Sequence, residues 1–305
     1  MRKWIPAFEL HVLAFDNDVT NCLSPEIFPE VKIVSLADFE NRNPDVAATK
    51  AVRTRAEYFF TCTGAWTYDV LHQHPMIDIL SYIDVDICFF APAESIFEEL
   101  GNGSILITEH HFHPAKQSAI IYGRYNVGLL CFRNSIIGLA CLKKWRNQCV
   151  EWCYDRLEDG KFADQKYLDV WPELYGKDVV VTRQLVNLGP WGLQSDDIRL
   201  DNGCIYIGSE GNLIAYHFQG VRQFSKRHYY LGFYFPFCPI NIIQYLYDPY
   251  IEALNRVNKQ SNLCNYTHGR YGKQGILYQM TTGYWFNNSS LCRLVWWVHH
   301  YLLRL

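Results

Sequence analysis

The sequence predicts an α/β fold, a mostly parallel sheet flanked by helices, on three observations. Over roughly the first two hundred of 305 residues, strand-like and helix-like segments alternate. The strand-like runs are short and rich in β-branched and aromatic residues, while the helix-like runs are longer with apolar residues on one face. Alternation of this kind places helices on both faces of a largely parallel sheet, and ligands then bind beyond the carboxyl ends of its strands.

Taken in order, "FELHVLAF" (8–15) and "VKIVSLADF" (31–39) read as strands joined by a short helix-bearing connection. "TRAEYFFTCTGAWTYDVLHQH" (54–74) has helical spacing, and "IDILSYIDVD" (77–86) is the next strand. "PAESIFEELGNG" gives a short helix closed by Gly101 and Gly103, before the strand "SILITEH" (104–110). "GRYNVGLLCFRN" (123–134) is a strand entered through Asn126 and Gly128, and 138–160 is the clearest amphipathic helix. "KFADQKYLDVWPELYG" follows as a loop and short helix, with strands at 178–182, 203–207 and 213–218. Beyond residue 225 the chain becomes densely aromatic and ends in "LVWWVHHYLLRL". This divides the protein into a domain over 1–225 and an aromatic, helical C-terminal extension over 226–305.

Composition narrows the function. Hydrophobic residues make up 49% and charged residues 19%, with a formal net charge of −3. That balance excludes a nucleic-acid binder working by bulk electrostatics. The 11 cysteines form no Cys-x-x-Cys pair, so they read as small buried hydrophobes in a reducing cytoplasm. No apolar run is long enough for a spanning helix. The Trp-bearing, Arg-flanked C-terminal helix could instead lie on the inner membrane face as a peripheral contact, or pack on its own domain or a partner.

Function concentrates in "YIDVDICFF". Asp84 and Asp86 interrupt an otherwise apolar strand, and burying two like charges costs several kcal/mol unless a cation neutralises them. Along an extended segment both would point the same way, within reach of one ion. The bland alternative is a solvated strand end.

With its companions "KAVRTRAEY", "YNVG", "FADQKYL" and "YHFQG" in that order, the segment resembles the Asp-x-Asp motif of GT-A-type glycosyltransferases. The series is similar to the retaining, glycogenin- and galactosyltransferase-like branch and to bacterial nucleotide-diphospho-sugar transferases, over roughly residues 7 to 220. The resemblance implies a Rossmann-like GT-A sheet and a metal-dependent transfer of a hexose, with retention. The donor would be a UDP- or GDP-sugar and the acceptor a glycan, sugar or lipid-linked molecule. Asp84, Asp86 and His217 would hold Mn²⁺ or Mg²⁺, an imidazole tilting the choice toward Mn²⁺. Lys50, Arg53 and Arg55 would form a cationic edge for the donor, Arg55 foremost, and Gly128 would shape the sugar-side turn. Asn126, Asp164 and Gln165 would meet the donor sugar, and Trp191 would lie near the acceptor.

Each residue also has a plain structural reading: a core histidine for His217, a solvated helix entry for the basic trio, a turn for Asn126 and Gly128, a helix cap for Asp164, core packing for Trp191. Members of the family usually begin with a further strand and helix that carry much of the base pocket. This chain begins at "MRKWIPAFEL", so that unit is expected to be lacking. A degenerate transferase that binds nucleotide-sugar or glycan without turnover is therefore the alternative. A two-carboxylate hydrolase is disfavoured, because its acid and nucleophile must flank the scissile bond, whereas Asp84 and Asp86 are near neighbours.

Overall fold

The computed structural model describes residues 1–23, 28–193, 198–225, 228–234, 238–261 and 284–285. The "LVWWVHHYLLRL" end lies outside the described residues, and with it the expected membrane contact. Among the described residues no helix is long and apolar enough to cross a membrane.

The chain opens with β1 (Leu10–Ala14), α1 (Asn17–Cys22) and β2 (Val31–Ser35), and the two strands pair in parallel from Leu10↔Val31 to Ala14↔Ser35. The second strand stops earlier than its apolar pattern suggests, because the Ser35 hydroxyl accepts from the Asp38 amide and starts α2 (Leu36–Arg42). α3 (Pro44–Thr49) and the long α4 (Arg55–Gln73) follow. A capping box begins α4: Thr54 accepts from the Glu57 amide, and the Glu57 carboxylate accepts from Thr54 N. Replacing Thr54 by alanine should cost about 1 kcal/mol, read as a lower urea midpoint that Thr54→Ser recovers.

Next come β3 (Ile79–Ile83), β4 (Ile87–Phe89), α5 (Glu94–Leu100), β5 (Ile105–Glu109) and β6 (Tyr125–Arg133). They are followed by α6 (Ile136–Glu151), α7 (Trp171–Tyr175) and β7 (Val179–Val181). The remaining elements are β8 (Ile198–Asp201), β9 (Cys204–Ile207), β10 (Gly211–Asn212), β11 (Ala215–His217), β12 (Arg222–Ser225) and β13 (His228–Tyr230). α8 (Ile240–Ile242) runs through a π turn into α9 (Asp248–Ser261), and β14 is Tyr284–Trp285.

Two compact units result, residues 1–85 with 92–187, and residues 86–91 with 188–305. The boundary read from composition, after residue 225, falls inside the second unit.

The first unit has the expected α/β make-up, but its four-stranded sheet, ordered β3-β6-β5-β7, is mixed rather than mostly parallel. β5 and β7 are parallel, whereas β6 runs antiparallel to both β3 and β5. The cause is local: between β5 and β6 the chain returns through a 3₁₀ turn, Pro114–Tyr122, in place of the helical crossover that a parallel pair needs. Behind the sheet, α4 packs on α6 around Trp145, whose ring lies 6.2 Å from Phe132 and 5.7 Å from Trp171. Gly64 makes room, since a Cβ there would sit 3.2 Å from the Trp145 ring. Buried thiols line the same layer. Burial pushes Cys62 and Cys141 up to about 12, which holds both as inert protonated side chains.

The expected helix over 138–160 ends at Glu151. Trp152 turns extended, and the Tyr167 hydroxyl donates to the carbonyls of Trp152 (2.7 Å) and Gln148 (3.3 Å), satisfying the helix end from a distant segment.

The second unit holds the antiparallel pair β4–β11, the meander β8–β9–β10 and the ribbon β12–β13–β14. Its aromatic composition is used in the core. Phe218 stacks on Tyr250 at 3.9 Å, and the Tyr216 and Tyr247 hydroxyls meet at 3.3 Å.

Candidate functional site

Asp84 and Asp86 do not lie on one extended strand as their sequence context suggests. β3 ends at Ile83, and residues 84–86 turn into β4. The turn is anchored at both ends. Asp84 N donates to Gly128 O (2.9 Å), while Asp86 O accepts from Phe218 N (2.8 Å). The Asp84 carboxylate accepts from the Tyr82 hydroxyl at 2.6 Å.

His217, on β11 opposite Ile87, is fixed by its amide bond to Leu188 O (2.7 Å) and is buried. Its Nε2 lies 3.0 Å from Asp86 Oδ1, and Trp191 presents its edge to the imidazole at 5.4 Å. Two adjacent ligands at right angles about an ion with bonds of about 2.1 Å would be separated by roughly 3.0 Å. The pair at 3.0 Å is compatible with that separation, and the same distance is that of a direct hydrogen bond between imidazole and carboxylate. Asp84 precedes Asp86 by two residues, so the chain itself keeps it near, and one ligand atom from each of Asp84, Asp86 and His217 lies within 4.8 Å of the others. Two carboxylates and an imidazole make a donor set that could hold one divalent cation.

Asp164 is buried in the first unit, on a turn that α4 and α6 hold in place: Trp145 Nε1 donates to its backbone oxygen at 2.8 Å. The residue before it, Ala163, has φ +45°. A non-glycine residue there costs about 1–3 kcal/mol and is kept only where its surroundings over-determine it. Burial first, and the Asp84 charge second, push the Asp164 carboxyl up to about 8, against a hydrogen bond from Thr63. Burial and the same two carboxylates drive the Tyr82 hydroxyl well above its usual value. The concentration of negative charge here calls for a cation or a retained proton. Gln165 is aimed by its amide bond to Tyr122 O (3.0 Å). It passes Gly123 closely enough that a Cβ there would sit 3.3 Å from Gln165 Cγ, at φ +147°.

Asn126 is buried at the start of β6, and its amide is engaged on both sides. Oδ1 accepts from Gly128 N and from Asn187 Nδ2, each at 2.7 Å, and Nδ2 donates to His110 Nε2 at 3.0 Å. Asn187 also donates to the Thr108 hydroxyl (2.8 Å) and adopts φ +60°. Sequence reasoning missed His110, Asn187 and Tyr82. A lone His or Asn carries no periodic signal, and only the fold joins Asn187 to Asn126 across 61 positions. Tyr82, two residues before Asp84, was legible as a neighbour of like strand parity.

The basic trio is not drawn together. Lys50 pairs with Glu40 at 2.8 Å. Arg53 bonds the Thr61 hydroxyl and Val150 O and lies over the Tyr154 ring, tying α4 to the end of α6. Arg55 is exposed on the first turn of α4, over the Phe59 ring.

No family model matches the chain. It is 30% identical over 223 residues to the uncharacterized protein YfnF of Bacillus subtilis (strain 168), covering 71% of this chain and 73% of that protein. To the uncharacterized protein YfnD of the same organism it is 28% identical over 253 residues, 82% of this chain and 80% of the other. Among solved structures, mouse xyloside xylosyltransferase 1 in its apo form aligns with a TM-score of 0.43 at 13% identity. That alignment covers 70% of this chain and 84% of that one.

Proposed function

The chain belongs to the family of Bacillus subtilis YfnF, and on that premise we propose that it is a metal-dependent glycosyltransferase. It moves a hexose from a UDP- or GDP-sugar to a glycan, sugar or lipid-linked acceptor, with retention of configuration. The observation that carries this reading is the Asp86–His217 pair at 3.0 Å, with Asp84 two residues upstream.

In this proposal Asp84, Asp86 and His217 hold Mn²⁺ or Mg²⁺, which when bound neutralises the diphosphate as it departs. Asp164, a buried carboxyl, hydrogen-bonds a hydroxyl of the donor sugar. Gln165 and Asn126 position the ring, and His110 and Asn187 hold the Asn126 amide in one orientation. Of the basic residues, Arg55 is the one we assign to the diphosphate, because Lys50 and Arg53 are spent on internal partners. We place the protein in the cytoplasm, where its buried free thiols would stay reduced.

A second reading, a binder of nucleotide-sugar without turnover, is favoured by one observation: the Asn126 Oδ1 already accepts two internal bonds. Release of nucleoside diphosphate from UDP-glucose, UDP-galactose and GDP-mannose, with Mn²⁺ and with EDTA, separates the two. The transferase reading expects release that EDTA abolishes. Mn²⁺-dependent binding with no release from any of these donors would establish the binder instead.

A further inference from the structure

Within the first unit a cavity of about 250 Å³ is lined by Glu109, His111, Phe112, Gln117, Ile120 and Arg124, and the proposed transfer chemistry uses none of them. We infer that this cavity is a saccharide subsite that takes one pyranose ring of the acceptor. The inference rests on the transferase reading for the word acceptor, but its chemistry is argued from the cavity alone.

Its size, below the usual range for drug-sized ligands, suits a single sugar ring. Phe112 and Ile120 give it an apolar wall. The Phe112 ring is backed by His110, stacked at 4.5 Å and 9°, which fixes the aromatic plane for a ring lying on it. The rest of the lining is polar but electrically balanced. Arg124 places both its Nε (2.9 Å) and Nη2 (2.8 Å) on Glu109 Oε1. A neutralised ion pair gives no net attraction to a phosphate, yet it presents planar donors and acceptors to vicinal hydroxyls, as does the exposed amide of Gln117.

A further observation points to a ligand. The buried Nε2 of His111 has no hydrogen-bond partner among the described residues. An unsatisfied buried nitrogen is costly, and it belongs to a residue that lines the cavity. His111 is also held at φ +51°, a strained state that clusters at functional positions. The cavity is tied to the sugar-side residues through short links. Glu109 and Tyr125 are opposed across β5 and β6, Thr108 faces Asn126 in the same ladder, and His110 stacks on Phe112 while its Nε2 bonds the Asn126 amide.

The test is saturation-transfer NMR on the full chain with the methyl glycosides of glucose, galactose, mannose and N-acetylglucosamine, in EDTA and without nucleotide. At least one glycoside is expected to bind with a dissociation constant of about 1–10 mM. Phe112→Ala and Gln117→Ala should each weaken it about fivefold or more, while substitution of the exposed Glu173 of α7, Glu173→Gln, leaves it unchanged. Gln117 is exposed, so its variant keeps the test valid if Phe112→Ala unfolds. Absence of binding by all four glycosides, or binding that survives both substitutions, would overturn the subsite. Glycoside binding in a protein that shows no Mn²⁺-dependent nucleotide binding would sustain the cavity while removing the transferase reading.

Discussion

Alanine at Asp84 or Asp86 is expected to weaken Mn²⁺-supported binding of UDP or GDP by at least about tenfold, ~1.4 kcal/mol, measured by isothermal titration calorimetry. A diphosphate binds an ion better than it binds two carboxylates, so removing a ligand loosens ion and nucleotide together. Asp86→Ala alone is ambiguous, because it also strips the buried His217 ring of the carboxylate 3.0 Å away. Asp86→Asn keeps a hydrogen-bonding group beside His217 while removing the charge, and it should lose nucleotide affinity with its circular dichroism intact. His217→Ala should lower Mn²⁺ affinity in the same way. Only the neutral imidazole can ligate, so the wild-type affinity should fall as the solution is acidified. If UDP binds equally well in EDTA, the ion-holding role of all three residues is lost.

Which parts of this arrangement the sequence disclosed follows from what each part depends on. The order of strands and helices was legible because apolar periodicity is a local property, and α4 and β6 fall within a residue or two of their expected bounds. Strand polarity was not legible. It depends on whether residues 114–122 form a crossover helix or a return, and "PAKQSAIIY" has no pattern that decides. The two aspartates stood out because charge in an apolar run is expensive. Their actual geometry, a turn rather than a strand, is set by pairing partners far along the chain, Gly128 and Phe218. His217 emerged only through the order of its companion motifs, since one histidine in a strand says nothing by itself. The basic cluster misled for the opposite reason. Lys50 and Arg53 look alike in sequence whether they face a phosphate or, as they do, Glu40, Thr61 and Val150.

The largest effect on stability is expected at Asp164, and its sign is opposite to that of a paired surface carboxylate. Its folded-state value, about 8, stands above the ordinary 3.8, so between those values the folded protein holds a proton that the unfolded chain has released. Stability contributed by this group is therefore fully present below about pH 4, falls as the pH rises, and is lost once the pH passes about 8. Asparagine keeps the shape and cannot ionise. Asp164→Asn should accordingly stabilise the apo protein against urea by several kcal/mol at about pH 8.5 relative to its effect at about pH 4. Titrating groups that do not interact with Asp164 cancel in that difference. Because the Asp84 charge is one of the causes of the shift, Asp84→Asn should shrink the pH dependence, and saturating Mn²⁺ should do so as well if the ion sits against Asp84. Parallel pH–stability curves for wild type and Asp164→Asn in EDTA would show that Asp164 is ionised in the fold at neutral pH. The same substitution should abolish transfer, since an amide in place of the acid changes what is offered to the donor sugar. A variant that is more stable and less active ties the Asp164 carboxyl itself to the chemistry, a group kept buried at the expense of the fold.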